Sequence, residues 1–101
     1  MASGIYAQVN LTATTLTTVY TTVPTAATYN IRFCNRNATS ATVRLAIGAA
    51  ATPDNSEYIE YDAVIPGNGI LEEQGIPIQA SKLIVAYSSV ASVSVAVWGV
   101  Q

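Results

Sequence analysis

Apolar side chains recur at every second position through most of this chain, and that period admits strands and little else. Ile5, Ala7, Val9 and Leu11 fall on one side of an extended segment. Over 16–23, Thr17, Val19, Thr21 and Val23 oppose Leu16, Thr18, Tyr20 and Thr22. Tyr29, Ile31 and Phe33 alternate with Asn30, Arg32 and Cys34, and Val43, Leu45 and Ile47 with Thr42, Arg44 and Ala46. Over 57–65, Ile59, Tyr61, Ala63 and Ile65 share one face, and Tyr58, Glu60, Asp62 and Val64 the other. Leu83, Val85 and Tyr87 oppose Lys82, Ile84 and Ala86; Val93, Val95 and Val97 oppose Ser94, Ala96 and Trp98. A shorter extended piece runs from Ile70 to about Ile78, interrupted by Gly75 and Pro77. Composition agrees: Ala, Val, Ile and Thr supply 48 of the 101 residues, and three of those four types are β-branched.

Turn chemistry separates the runs. Val23-Pro24-Thr25 ends one strand, and Thr52-Pro53-Asp54-Asn55-Ser56 carries Pro at a favoured turn position. Pro66-Gly67-Asn68-Gly69 is the strongest turn signal. Asn35 to Ser40 joins two strong strands and reads as a hairpin loop. Nine threonines lie between Thr12 and Thr28; alternation with Leu16, Val19 and Val23 favours a polar-faced strand there over a glycosylated tract. No window shows helical periodicity over ten residues. The expectation is all-β: an antiparallel β-sandwich, Ig-like or jelly-roll, of seven or eight strands. The 101 residues make one such domain, with 1–12 as an N-terminal arm or edge strand.

Charge and polarity exclude several classes. High apolar content with a net charge of −2 is the reverse of the disorder signature. Four cations against six carboxylates argue against a nucleic-acid partner. The longest apolar stretches are too short to span a bilayer, so no membrane partner is expected. The opening Met-Ala-Ser-Gly-Ile-Tyr resembles no secretory leader, so synthesis in a cytoplasm is expected. The single Cys34 cannot form an intrachain disulfide and reads as a small buried apolar residue.

The chemistry of catalysis is thinly represented. The chain has no histidine, which removes the common nucleophile pairs, the usual zinc sites and the commonest general base. Carboxylates remain: Asp54, Glu57, Glu60, Asp62, Glu72 and Glu73. Glu60 and Asp62, two residues apart on one strand face, fit a Ca²⁺ pair or an acid/base pair on paper. A solvated strand face with Arg or Lys opposite is the reading preferred here. No catalytic, cofactor-binding or metal-ligating residue is assigned, and no cofactor is expected. Arg32 and Arg44 share the less apolar face of the expected 29–48 hairpin, with Arg36 in its loop; they are candidates for a partner's carboxylates or for ion pairs with Glu60 or Asp62. Tyr6, Tyr20, Tyr29, Tyr58, Tyr61 and Tyr87 lie in separate segments, which weakens a sugar-binding platform without removing it.

Several segments carry a family resemblance. Asn-Ile-Arg-Phe-Cys-Asn-Arg-Asn-Ala-Thr-Ser-Ala-Thr-Val-Arg-Leu-Ala-Ile (30–47), Tyr-Ile-Glu-Tyr-Asp-Ala-Val-Ile-Pro-Gly-Asn-Gly-Ile-Leu-Glu (58–72) and the closing strand Ser92–Val100, ending in Val-Ser-Val-Ala-Val-Trp-Gly-Val, with Leu-Thr-Thr-Val-Tyr-Thr-Thr-Val-Pro (16–24), resemble small structural proteins of tailed bacteriophages. The resemblance implies an Ig-like or jelly-roll domain built into a virion, without catalytic residues. Capsid decoration (cement), neck, baseplate and tail fibre are all compatible with it. The expected function is therefore a non-enzymatic decoration subunit that binds the major capsid protein and neighbouring copies of itself, a trimer being one arrangement. A tail, neck, baseplate or fibre component and a carbohydrate-binding module are the alternatives. A charge-poor surface suits such association, and the N-terminal or C-terminal strand is expected to pair with a neighbour. Ile5, Tyr6 and Val9, with Arg32, Arg36 and Arg44 as polar contacts, form the candidate interface.

Overall fold

The computed structural model describes residues 3–20 and 26–100. Its strands are β1 (Ser3–Asn10), β2 (Thr17–Tyr20), β3 (Ala27–Asn35), β4 (Ala41–Gly48), β5 (Tyr58–Ile65), β6 (Ile70–Ile78), β7 (Leu83–Ser88) and β8 (Val93–Val100), with one 3₁₀ turn at Asn55–Glu57. Thr21 to Val23 and the Val23-Pro24-Thr25 turn lie outside the described residues.

The pairings nest. β4 pairs with β5, β3 with β6, β2 with β7 and β1 with β8, all antiparallel. This is one long hairpin folded over, its successive pairs falling alternately into two four-stranded sheets, β1-β8-β3-β6 and β2-β7-β4-β5. The β3–β8 and β4–β7 ladders then zip each sheet along its middle. The order is that of a jelly roll, and it decides between the two expected sandwiches. Only β4 and β5 are neighbours both in sequence and in a sheet. Residues 35–40 therefore cross from one sheet to the other, and the expected 29–48 hairpin is not formed.

The core is built as the alternation requires. Tyr29, Ile31 and Phe33 of β3 meet Val43 and Leu45 of β4 between the sheets, with Ile65, Ile78, Ile84, Val93, Val95 and Val97. Each large side chain so buried contributes roughly 1.5–3 kcal/mol of transfer free energy. β-branched residues dominate because their restricted χ1 suits the pleated surface.

Departures from alternation have one cause. Every nested pair contains a register shift, and neither middle ladder does. All four edge strands are thus bulged, a common way of blunting edges against uncontrolled pairing. In β1 the shift between Ile5 and Ala7 turns Tyr6 inward and leaves Ile5 61% exposed beside Trp98, off the face it was expected to share with Ala7, Val9 and Leu11. In β5 the shifts keep Ala63 and Ile65 inward but put Ile59 and Tyr61 outside. β6 continues through Gly75 and Pro77 as one strand; Gly75, at φ +64°, takes up its shift and donates its N–H to Asn30 Oδ1 at 2.9 Å.

The two open sides of the sandwich close differently. Between β1 and β2, Tyr6 stacks on Tyr20 with ring centres 5.9 Å apart, and both meet Tyr29 edge-on. Between β5 and β6, the Glu60 carboxyl shares a hydrogen bond with Glu73. At one end, Asn35 fastens the 35–40 crossing to the β5–β6 turn: its Nδ2 donates to the carbonyls of Thr39, Ile65 and Pro66, and its Oδ1 accepts from Asn37.

Candidate interaction surface

The six candidate interface residues do not form one patch. Tyr6 and Val9 pack against the core, and the Tyr6 hydroxyl donates to Gly99 O at 3.1 Å. Of the β1 trio only Ile5 faces outward. β1 stands at a sheet edge, whereas β8 lies between β1 and β3 and has no ladder side left for a neighbour.

The arginines separate onto opposite faces. Arg32 lies on the outer face of the β1-β8-β3-β6 sheet, 2.9 Å from Glu72 Oε1 and over the Trp98 ring at 5.7 Å. Hydrogen bonds from Arg32 and Gln74, with the Arg32 charge, hold the Glu72 carboxyl below its ordinary range. Beside it, Gln8, Asn10, Cys34, Ser94 and Ala96 line a shallow depression of about 220 Å³. Cys34 is therefore half-buried on an outer face rather than part of the core. Arg36 lies on the sheet-to-sheet crossing and donates to Asn10 Oδ1 at 2.8 Å.

Arg44 is on the other outer face, where β4 meets β5. Its Nε donates to Asp62 Oδ1 at 2.7 Å, and its guanidinium sits 4.2 Å from the Tyr61 ring centre and 4.6 Å from that of Tyr87. The bond to Asp62 raises the Arg44 pKa further above its ordinary value, so the charge is permanent. The β5 bulge makes this possible: Asp62 takes φ 55°, a left-handed conformation that Asp tolerates better than most residues, and two β5 residues then oppose Arg44. Tyr58 meets Tyr61 edge-on at 5.1 Å, and with Asn55 they line a hollow of about 370 Å³. The six tyrosines thus form two groups: Tyr6, Tyr20 and Tyr29 inside, and Tyr58, Tyr61 and Tyr87 outside around Arg44. Their scatter in sequence concealed this, because the groups exist only once β5, β4 and β7 are side by side.

The bulge also separates Glu60 from Asp62. Asp62 goes to Arg44 and Glu60 to Glu73. The shared hydrogen bond, partial burial and the neighbouring Glu73 charge push the Glu60 pKa up to about 7. A folded-state value above the unfolded one means that the contribution to stability is complete below about pH 4.5 and is lost as pH rises through 7. Solvent reaches both carboxyls, so screening reduces the effect to the order of 1 kcal/mol. Thermal unfolding should therefore show Tm falling by a few degrees between pH 5 and pH 8, and Glu60→Gln should remove most of that slope and be the more stable form at pH 8. An unchanged slope in Glu60→Gln would place the pH dependence elsewhere.

Among the described residues, the exposed large apolar side chains are Ile5, Leu16, Ile59, Tyr61, Val64 and Ile70. Tyr61 and Val64 share the Arg44 face of the β2-β7-β4-β5 sheet, whereas Ile70, in phase with Glu72, and Ile5, opposite Trp98, lie on the Arg32 face of the other sheet. Sequence reasoning placed Ile59 and Tyr61 inward; the register shifts of β5, with Asp62 left-handed between Tyr61 and Ala63, turn them out. Among the described residues, no three His, Cys, Asp or Glu side chains gather as a metal-ligand set. No protein-family model, curated protein or solved structure matches the chain.

Proposed function

We propose that this chain is a non-enzymatic structural subunit of a tailed-phage virion, most specifically a capsid decoration protein that binds the major capsid protein and copies of itself. The observation that carries the reading is the edge strand β5, where Ile59, Tyr61 and Val64 stand exposed on a chain with only 10% charged residues. Apolar side chains grouped on one edge strand of a poorly charged domain favour association. Jelly rolls recur in capsid proteins, and blunted edges direct such association through side chains rather than through free strand pairing. The phage resemblance of 16–24, 30–47, 58–72 and 92–100 agrees with this reading.

Particles of the encoding phage, purified and imaged to side-chain resolution with subunit counting by mass spectrometry, test it. Hundreds of copies on the shell are expected. A few to some dozens on the tail, neck or baseplate would transfer the same chemistry to that organelle. Absence from the particle would overturn the reading.

A second reading, a receptor-facing sugar-binding module, is favoured by the Tyr58–Tyr61 corner with Asn55 beside it. Stacking faces and an amide are what a pyranose uses. Binding on a glycan array that Tyr61→Ala abolishes would support it, and no binding would exclude it.

A further inference from the structure

We propose that the depression on the outer face of the β1-β8-β3-β6 sheet is a site for one carboxylate, offered by an acidic segment of a protein partner. This names the chemistry that holds a partner and so rests on the proposed function. Register builds the depression. β8 sets Ala96 and Ser94 in the middle, with Gln8 and Asn10 of β1 opposite them on one side and Arg32 and Cys34 of β3 on the other. Two small side chains between two rows of longer ones leave the hollow of about 220 Å³. Pockets for drug-sized molecules hold ~300–1,000 Å³, so this one suits a single side-chain head group. Arg32 stands at one end, its guanidinium over the Trp98 ring, and Arg36 reaches the other end, where it donates to Asn10 Oδ1 at 2.8 Å.

Polarity selects the ligand. Among the described residues Arg32 commits one N–H to Glu72 Oε1, and Glu72 approaches from β6, the side of β3 away from the depression. The remaining guanidinium donors stay available. Arg36 occupies Asn10 Oδ1, which leaves the Asn10 amide its Nδ2 donors, and Gln8 and Ser94 can donate beside it. Glu72 is the only carboxylate bonded to either guanidinium among the described residues, so one positive charge, that of Arg36, is left over. A neutral ligand would leave that charge unanswered. A nucleic acid presents a rail of phosphates and needs a matching run of cations, which two arginines on a chain of net charge −2 do not supply. A carboxylate accepts from both ends of the depression, and the planar guanidinium fork matches its geometry.

Cys34, half-buried in the wall of the depression, serves as the reporter. Alkylation by iodoacetate, or by its neutral counterpart iodoacetamide, forms an S–C bond, releases iodide and gives the thiol proton to solvent. At low salt the iodoacetate-to-iodoacetamide rate ratio at Cys34 should exceed that of 2-mercaptoethanol about fivefold, the effect of one charge pair near contact in water. It should fall to parity at about 1 M salt, where screening acts over ~3 Å. Arg36→Gln and Arg32→Gln each cancel the excess charge and should each bring the ratio to parity, with an unchanged circular dichroism spectrum and Tm as controls for folding. An oligoglutamate peptide at about 1 mM should protect Cys34 from iodoacetamide, whereas oligolysine and single-stranded oligothymidylate should not. If Cys34 resists both reagents, the oligoglutamate titration is read from the Arg32 and Arg36 Nε–H resonances, which should shift together. A ratio equal to that of 2-mercaptoethanol, an unaltered ratio in Arg36→Gln, equal protection by oligothymidylate or unmoved arginine resonances would each overturn the inference. Oligoglutamate binding by a chain absent from the particle would spare this inference and overturn the proposed function; location on the shell without carboxylate binding would do the reverse.

Discussion

Asn35→Ala is expected to lower stability by about 3 kcal/mol, a fall in Tm of roughly 12–24 °C for a domain of this size. Asn35 is 1% exposed, and its amide holds three chain segments at once. Nδ2 lies 2.9 Å from Thr39 O, 3.2 Å from Ile65 O and 3.1 Å from Pro66 O, while Oδ1 accepts from Asn37 N and Asn37 Nδ2, both at 3.0 Å. Truncation leaves the Ile65 carbonyl and the Asn37 N–H without this partner in a place water reaches poorly, and it is the stranded groups rather than the lost bonds that cost most. Asn35→Asp separates chemistry from volume. It keeps the acceptor and shape, loses the donor, and buries a charge facing three carbonyl oxygens. At pH 7 it should be at least as damaging as Ala, and it should recover partly as pH falls and the carboxyl regains a proton to donate. Denaturant unfolding of the three proteins at pH 4 and pH 7 measures this. An Asn35→Ala loss below about 1 kcal/mol would mean that the crossing is held by something else.

The core was legible wherever the ladder is regular. Val93, Val95 and Val97, and Tyr29, Ile31 and Phe33, face inward as alternation requires, because β8 and β3 pair without a shift along their shared edge. Ile5, Ile59 and Tyr61 were misassigned because they sit on bulged edge strands, where one extra residue reverses the phase and leaves little mark on composition. Topology was illegible for a different reason. The 35–40 segment has the length and polarity of a hairpin loop, and nothing local to it reports that its two strands join different sheets. Asn35 itself carried a signal that went unused: it continues the inward phase of Tyr29, Ile31 and Phe33, so a polar residue stands where a core residue belongs. Such a position requires internal partners. The Arg44–Asp62 pair was among the weighed alternatives, whereas the tyrosines around it were not, since they converge only through the β5–β4–β7 neighbourhood.

These failures share a consequence for function. Bulges remove the edge strands from easy ladder growth and at the same time turn Ile5, Ile59 and Tyr61 outward. The same distortions that discourage indiscriminate pairing therefore build the side-chain surface through which specific association can occur. A surface of that kind is selective because apolar contact supplies attraction while the placement of a few charges sets orientation. With only ten charged residues, of which Arg32, Arg44, Asp62 and Glu72 are already paired, the proposed association would draw that discrimination from the remainder.

Gly67→Ala should cost a similar amount to Asn35→Ala, about 3 kcal/mol, by a different route. A Cβ at Gly67 would fall on the carbonyl oxygen of Ala38 and lie 3.1 Å from Thr39 N. The obstacle is backbone, not a side chain that can rotate away, and that backbone is itself pinned by Asn35 Nδ2 on Thr39 O. The turn is no freer: Asn68 N donates to Asn37 O at 2.8 Å, and Gly69 N to Pro66 O at 2.9 Å. The methyl group can be admitted only by pulling the β5–β6 turn away from the 35–40 crossing, which strains the bonds that Asn35 makes. The two substitutions should therefore be strongly non-additive. Once Asn35→Ala has released the crossing, Gly67→Ala should cost at least 1 kcal/mol less than it does in wild type, a coupling well above the error of a double-mutant cycle in denaturant. Asn68→Gly, which replaces a left-handed Asn at φ 57° by a residue indifferent to that conformation, should stay within about 0.5 kcal/mol of wild type and confirms that the turn tolerates change away from the contact. Additive losses from Asn35 and Gly67 would show that crossing and turn are separate units, and the clasp that fixes the ends of β3, β4, β5 and β6 would have to be abandoned.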